Sequence, residues 1–201
     1  EFFFDRFLEY FFTDDDAEFI ASLGLNLVRI PINYRHFEDD AHPFVIRSSA
    51  FRHLDRVVDL CAKRGIYSII DLHALPGYQN QDWHSDNPTH KALFWRHKHF
   101  QDRALHIWEV IAEHFHGNAW VAGYNLINEP ADPTETAIAP YYRRLAEAVR
   151  ALDPDHLLFL DGNRYAQDFH MMGDPIPGSV YATHDYALPG LIDGGAYPGA
   201  S

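Results

Sequence analysis

A short segment places an amide and a carboxylate directly after an apolar run. Asn128 and Glu129 follow residues 120–127, which have the length and the two-residue alternation of a buried strand, and precede Pro130. Pro130 cannot continue the strand, and the residue before a proline avoids the helical region. We therefore expect Glu129 to be extended at the carboxyl end of a strand. A carboxylate in that position is suited to act as a general acid or base.

Polar side chains also close the other apolar segments of strand length. They are Arg29 within residues 25–32, His73 after residues 66–72, Asp161 after residues 156–160, and His184 and Tyr186 after residues 179–183. A charge inside a strand is costly unless it is paired, so Arg29 either forms an ion pair with Asp71 or belongs to a site. Asp161 precedes Gly162 and Asn163, and we interpret it as a turn residue.

A long polar loop, residues 74–90, follows the second strand. Loops of this length inside a domain are more often functional than idle. Trp83 in this loop is the candidate platform for a sugar ring, because a flat aromatic face covers the apolar face of a pyranose. The alternative interpretation is that Trp83 only anchors the loop by packing.

Histidines are frequent between His97 and His116, but none of them has HExxH spacing. His97 and His99 lie two positions apart on a predicted helix and therefore face different directions. We interpret these histidines as part of a solvated helix face. The sequence thus predicts neither a metal site nor a cofactor.

Five strands alternate with helices along the chain, and this pattern predicts an α/β fold with a parallel sheet. In a (β/α)8 TIM barrel the active site lies at the carboxyl ends of several strands. A doubly wound sheet also binds ligands there, but it usually has a glycine-rich phosphate loop after its first strand, which this sequence lacks. We therefore predict a barrel, as a single catalytic domain over residues 1–201.

Composition limits the possible partners. The chain has 201 residues, of which 47% are hydrophobic, and it carries 16 basic against 29 acidic residues, a net charge of −13. This charge argues against nucleic acid or an anionic membrane surface and favours a neutral substrate such as a sugar. No apolar run approaches the roughly 20 residues of a membrane span. Cys61 is the single cysteine, so no internal disulfide can form.

Four motifs in order along the chain resemble glycoside hydrolase family 5, the cellulase-containing family of retaining β-glycosidases. They are Val28-Arg29-Ile30-Pro31, Asp71-Leu72-His73 with Pro76-Gly77, Leu126-Ile127-Asn128-Glu129-Pro130, and His184-Asp185-Tyr186. The resemblance implies hydrolysis of O-glycosidic bonds in a β-linked glucan, with an oligosaccharide or polysaccharide as the substrate. It makes the five strands the second to sixth of eight, so the barrel is incomplete. The nucleophilic Glu, expected on the seventh strand, is then outside this chain.

The resemblance also implies roles for individual side chains. Glu129 is expected to be the acid/base, and Asn128 to bind the sugar 2-hydroxyl. Arg29 is expected to steady the nucleophile. The remaining expected contacts with the sugar or the nucleophile are His73, His184 and Tyr186.

Three alternatives remain beside an endoglucanase-like enzyme. The loop with Gln79 and Asn80 is similar to the exo-β-1,3-glucanase branch, in which it would close one end of the cleft. A carbohydrate-binding pseudo-enzyme would keep the sugar cleft without the nucleophile. A Schiff-base enzyme needs a lysine at a strand end, but Lys63, Lys91 and Lys98 all lie on predicted helices or helix starts.

Overall fold

Five parallel strands form one sheet, and their spatial order follows their order in the chain. The computed structural model describes residues 2–186. The strands are β1 (Leu27–Asn33), β2 (Tyr67–Ala74), β3 (Val121–Asn125), β4 (Leu157–Asp161) and β5 (Ser179–Ala182). A doubly wound sheet reverses its strand order at a switch point, whereas a barrel wall does not. The unreversed order therefore favours the barrel, and it brings all five carboxyl ends to one edge.

Helices alternate with these strands. They are α1 (Phe2–Phe11), α2 (Asp14–Ser22), α3 (Arg52–Lys63), α4 (Lys98–Phe115), α5 (Ile138–Leu152) and the single turn α6 (Asn163–Ala166). The described residues also form four 3-10 turns, at Tyr34–His36, Trp83–Ser85, Leu93–Trp95 and His170–Met172. No helix within residues 2–186 combines the length and the apolar character that crossing a membrane requires.

The hydrophobic core lies between the sheet and helices α3, α4 and α5. Trp108 of α4 is fully buried against Tyr124 of β3, with ring centroids 5.6 Å apart, and its indole N–H donates to the carbonyl of Leu126 at 2.9 Å. Tyr142 of α5 is equally buried and donates to the carbonyl of Asp161 at 2.8 Å. Each aromatic ring thus fills the core while its polar end bonds the backbone of a strand end.

The segment after β3 differs from the sequence prediction. The strand ends at Asn125, four residues before Glu129, and Glu129 has φ 47°, in the left-handed region rather than extended. Its N–H donates to Asp161 Oδ2 at 2.9 Å, and its carbonyl accepts from Asn80 Nδ2 at 3.0 Å. Two bonds from neighbouring elements therefore hold a backbone conformation that a non-glycine residue rarely adopts. Such long-range partners are invisible in local sequence.

A turn at Pro76-Gly77 starts the long loop after β2. Gly77 has φ +74°, and a Cβ at this position would lie 2.3 Å from the ring of Phe100. Only glycine satisfies both the backbone angle and the close approach of α4. The turn directs the following residues across the carboxyl edge of the sheet, where Gln79 and Asn80 are fully buried.

Candidate active site

Glu129 is the centre of a polar cluster at the carboxyl edge of the sheet. Only 8% of its side chain is exposed, and each of its carboxylate oxygens faces a histidine. Oε1 lies 2.7 Å from His184 Nδ1, and Oε2 lies 2.8 Å from His84 Nε2. The carboxylate is thus clamped between the segment after β5 and the loop after β2.

Asp161 at the end of β4 supports both the backbone and one of these histidines. It is fully buried, and its Oδ1 accepts from Asn125 Nδ2 at 2.9 Å while its Oδ2 accepts the Glu129 N–H. Oδ2 also lies 3.4 Å from His184 Nε2. The interpretation of Asp161 as a turn residue is therefore wrong, because its carboxylate bonds groups on β3 and beyond rather than its own turn.

Arg29 of β1 bonds side chains of β2, of β3 and of the segment after β3. Its Nη2 donates to Asn125 Oδ1 at 2.6 Å and to Asn128 Oδ1 at 2.7 Å, and its Nη1 lies 3.1 Å from Asp71 Oδ2. Both interpretations of Arg29 therefore apply, since it forms an ion pair with Asp71 and this pair is part of the cluster. One planar guanidinium fixes three acceptors, which a lysine ammonium could not do with the same geometry.

His73 lies between this arginine network and Glu129. Its Nδ1 is 2.8 Å from Asp71 Oδ2, and its Nε2 is 3.5 Å from Asn128 Nδ2. The buried Asp71 thus orients the ring, as an acceptor behind a histidine commonly does. Asp71 Oδ1 is buried and has no hydrogen-bond partner among the described residues.

The ionisation of Glu129 reflects the histidines around it. Burial alone would raise the pKa of Glu129, but the hydrogen bond from His184 and the positive charges of His84, His184 and His73 outweigh it, so the pKa lies below its usual value. The hydrogen bond to Glu129 raises the pKa of His184. Burial raises the pKa of Asp161. Glu129 and His184 are therefore stabilised as an ion pair.

Trp83 and Tyr186 lie at the rim of this cluster. Trp83 is 84% exposed, and its ring centroid is 6.0 Å from that of His84. Tyr186 is 44% exposed, with its ring 6.4 Å from the ring of His184. The exposure of Trp83 contradicts the alternative that it anchors the loop by packing.

The structure brings together five of the seven side chains predicted for the site. These are Arg29, His73, Asn128, Glu129 and His184, whereas Trp83 and Tyr186 lie at the rim. Sequence reasoning missed His84, Asn125 and the site position of Asp161. Asn125 and Asp161 end apolar strands, which is a usable signal, but nothing local distinguishes His84 from other loop histidines.

A possible metal-ligand group lies away from this cluster. Within residues 2–186, the three side chains with ligand atoms close enough to share an ion are Glu135, Asp168 and His170. Arg164 already pairs with Glu135 at 2.6 Å and lies 3.6 Å from Asp168. The surface position and the existing ion pairs give this group no feature that requires a cation.

The arrangement can deliver and accept a proton at a solvent-accessible edge. A carboxylate that is nearly buried, held by directional bonds and surrounded by amide and imidazole groups has the properties of a general acid/base. The amide of Asn128 is positioned by Arg29 beside it. Within residues 2–186 no second glutamate ends a strand, and the other carboxylates of the cluster, Asp71 and Asp161, are bonded to Arg29 and to Asn125 and the Glu129 N–H, respectively.

Comparison with known proteins identifies similar sequences. A family model described as cellulase (glycosyl hydrolase family 5) matches residues 7–193. A protein from Phanerodontia chrysosporium named Beta-xylosidase is 56% identical over 194 residues, covering 95% of this chain and 41% of that protein. A protein from Aspergillus fumigatus named Probable glucan 1,3-beta-glucosidase A is 31% identical over 187 residues, covering 89% of this chain and 43% of that protein. The chain therefore spans 41% to 43% of the length of these relatives.

A solved structure with the same fold is the endoglucanase Cel5A from the hyperthermophilic Thermotoga maritima. It superposes with a TM-score of 0.71 at 20% identity and covers 88% of this chain and 54% of that chain. Together with the unreversed order of the five parallel strands, this similarity confirms the predicted fold class, an incomplete (β/α)8 TIM barrel.

Proposed function

The chain belongs to the cellulase family, glycosyl hydrolase family 5, as its motifs predict, and on this basis we propose that it forms the acid/base half of a retaining β-glycosidase. The observation that carries the proposal is the placement of Glu129. Its carboxylate lies at the carboxyl edge of the sheet between two histidines, with Asn128 and Arg29 beside it. Carbohydrate breakdown through hydrolysis of O-glycosidic bonds follows from this assignment.

The proposed reaction has two steps, each with a role for Glu129. In the first step a nucleophilic carboxylate forms a bond to the anomeric carbon, the glycosidic bond breaks, and Glu129 gives its proton to the leaving oxygen. In the second step Glu129 takes a proton from water, whose oxygen replaces the nucleophile at the anomeric carbon. We place the nucleophile on a strand outside this chain, about 5–5.5 Å from Glu129 as retention requires.

The nucleophilic carboxylate would also favour the protonated form of Glu129, which the first step requires. The histidines favour its ionised form, which suits the base of the second step but not the acid of the first. A negative nucleophile nearby disfavours a second negative charge and raises the pKa of the acid. When the nucleophile is consumed in the covalent intermediate, that effect ends, and Glu129 becomes a carboxylate again.

The remaining side chains have roles in binding the sugar. Asn128, fixed by Arg29, presents its amide to the sugar 2-hydroxyl, and His73, His184 and Tyr186 line the same edge. The exposed indole of Trp83 supports its role as a stacking platform.

We propose a β-linked pyranoside as the substrate class. A β-linked glucan agrees with the family name, and the relative named glucan 1,3-beta-glucosidase favours exo action on a 1,3-linked chain. The relative with 56% identity is named a β-xylosidase, which favours a xylosyl residue at the bond that is cleaved. Hydrolysis rates on matched glucosides and xylosides decide between these sugars.

The test of the proposal is Glu129→Gln in the full-length protein. Substrates with poor leaving groups need the proton and should lose about 10²- to 10⁴-fold in kcat/KM, whereas activated aryl glycosides should lose far less in the first step. Glu135→Gln, which removes a partly exposed carboxylate outside the cluster, is the matched control. Equal damage to both substrate types, or none, would contradict the acid/base assignment. Oligosaccharide binding without turnover in the wild type would instead favour the pseudo-enzyme.

A further inference from the structure

A three-residue turn in the loop after β2 brings a second histidine to Glu129. This turn, Trp83–Ser85, places His84 Nε2 at 2.8 Å from Glu129 Oε2, while the Trp83 ring next to it remains exposed. His84 is not part of any of the four family-like motifs, and the proton transfers described above do not use it.

Buried hydrogen bonds fix this turn in place. Ser85 is fully buried, and its hydroxyl donates to the carbonyl of Asp82 at 2.8 Å and lies 3.2 Å from that of Asn80. Asn87 Nδ2 donates to the same Asn80 carbonyl at 2.7 Å. A turn held from both sides presents His84 in one position, which is the requirement for a side chain that orients another.

Asn80 determines which hydrogen bonds the His84 ring can form. Its Oδ1 accepts from the Asp82 N–H at 3.0 Å, so its amide group is oriented with Nδ2 towards Glu129 and the ring. Nδ2 donates to the Glu129 carbonyl at 3.0 Å and lies 2.9 Å from His84 Nε2. His84 Nε2 therefore has one donor and one carboxylate oxygen beside it.

This environment fits both protonation states of Glu129. When Glu129 is ionised, a protonated Nε2 donates to Oε2. When Glu129 carries its proton, an unprotonated Nε2 accepts from Asn80 or from the carboxyl O–H. His84 Nε2 thus has a hydrogen-bond partner in both states, so the ring can keep its position beside Oε2 while Glu129 changes between acid and base.

We propose that His84 is a positioning residue for Glu129, which holds Oε2 in place and favours the ionised carboxylate needed in the second step. This inference rests on the proposed function, because it assigns His84 a part in the same reaction. Because the exposed Trp83 lies on the same turn, a sugar stacked on its ring would also affect the position of His84.

Other charged and titratable groups surround Glu129, and the effect of His84 must be separated from theirs. They are His73 from β2, Asp161 from β4, Tyr165 from α6 with Asp82 behind it, His184 after β5, and Arg29 with Asp71 behind His73. All of these remain unchanged when His84 alone is substituted, so a change in the titration of Glu129 reports on His84.

The experiment compares the pH dependence of kcat/KM in the full-length wild type, His84→Ala and His84→Gln. The acid must be protonated in the first step, so the rate falls as pH rises through the pKa of Glu129. Loss of His84 removes a donor and a positive charge, which raises that pKa. We expect the alkaline limb of His84→Ala to move upward by about half a pH unit or more. His84→Gln, which keeps an uncharged donor, should move it less.

His90→Gln is the matched control, because His90 is an exposed histidine of the same loop that contacts the carbonyl of Gln81. An unmoved alkaline limb in folded His84→Ala would overturn the inference, and if that variant does not fold, His84→Gln decides by the same criterion. The outcome is separable from the proposed function. If Glu129→Gln loses activity but the His84 variants keep the alkaline limb of the wild type, only the role of His84 is refuted. If Glu129→Gln keeps full activity, the proposed function itself is refuted.

Discussion

The buried carboxylate of Asp161 accepts the backbone N–H of Glu129 at 2.9 Å. This bond ties the end of β4 to the residue that projects from the segment after β3, and it contributes to holding Glu129 at φ 47°. The direction of the Glu129 side chain therefore depends on a hydrogen bond between its backbone and a neighbouring strand.

Asp161→Ala should reduce both stability and activity. The substitution leaves the Glu129 N–H without its acceptor, which costs about 1–3 kcal/mol in the free energy of unfolding, while the Asn125 amide keeps only the carbonyl of Phe159 as an acceptor. A displaced Glu129 should lower kcat by about 10²-fold, since a shift of about 1 Å has an effect of this size. Urea unfolding and steady-state kinetics measure the two effects. Asp155→Ala, which removes an exposed carboxylate, is the control, and wild-type kcat in a folded Asp161→Ala would refute the link.

Arg29→Lys tests whether geometry or charge matters at the junction of β1, β2 and β3. Lysine keeps the positive charge near Asp71 but cannot bond Asn125 and Asn128 from one plane. We expect kcat to fall by about 10-fold or more in Arg29→Lys and further in Arg29→Ala. The comparison uses kcat on one substrate, with Arg64→Lys at the surface as the control. Full activity of Arg29→Lys would show that charge alone is sufficient.

The sequence predicted the fold and most of the cluster for a common reason. Alternating strands and helices predict a parallel sheet, and parallel strands bring their carboxyl ends to one edge. Polar residues on or just after different strands, such as Arg29, His73 and Asn128, are therefore close in space even though they are distant in the chain.

Features that depend on contacts between loops could not be predicted in this way. His84 reaches Glu129 only because buried bonds of Asn80 and Ser85 fold the loop over the sheet. Glu129 was expected to be extended because a proline follows, but bonds from Asp161 and Asn80 override that local preference. Local rules describe a residue's own backbone tendencies, whereas these partners come from other elements.

A buried ion pair away from the site provides a test of stability alone. Arg103 of α4 is 3% exposed and pairs with the fully buried Glu38, and it also bonds Asp40 at 2.9 Å. Removing one member leaves a buried charge, so Arg103→Met should lower the free energy of unfolding by about 3–5 kcal/mol. The double variant Arg103→Met with Glu38→Leu should recover part of that loss. Urea unfolding measures both, and a double variant no more stable than the single one would contradict this account.

The ion pair of Glu129 and His184 should give stability a dependence on pH. The pKa of His184 is raised from 6.5 in the folded protein, so its contribution is complete below 6.5 and is lost as pH rises through the folded value. The pKa of Glu129 is lowered from 4.5, so its contribution is present above 4.5 and is lost as pH falls through the folded value. The pair therefore contributes most to stability between pH 4.5 and pH 6.5.

Urea unfolding of the wild type and His184→Gln at several pH values measures this contribution. The difference in unfolding free energy should be largest at about pH 5.5, and it should shrink as pH rises through the folded pKa of His184, above which His184 is neutral in both the folded and the unfolded state. His90→Gln, which removes an exposed histidine that contacts a backbone carbonyl and, among the described residues, no carboxylate, is the control. A difference that stays constant from acid to alkaline pH would mean that His184 stabilises the fold by packing and not by its charge. In that case the low pKa of Glu129 would have to come from His84 and His73, and the upward shift expected for His84→Ala should be larger.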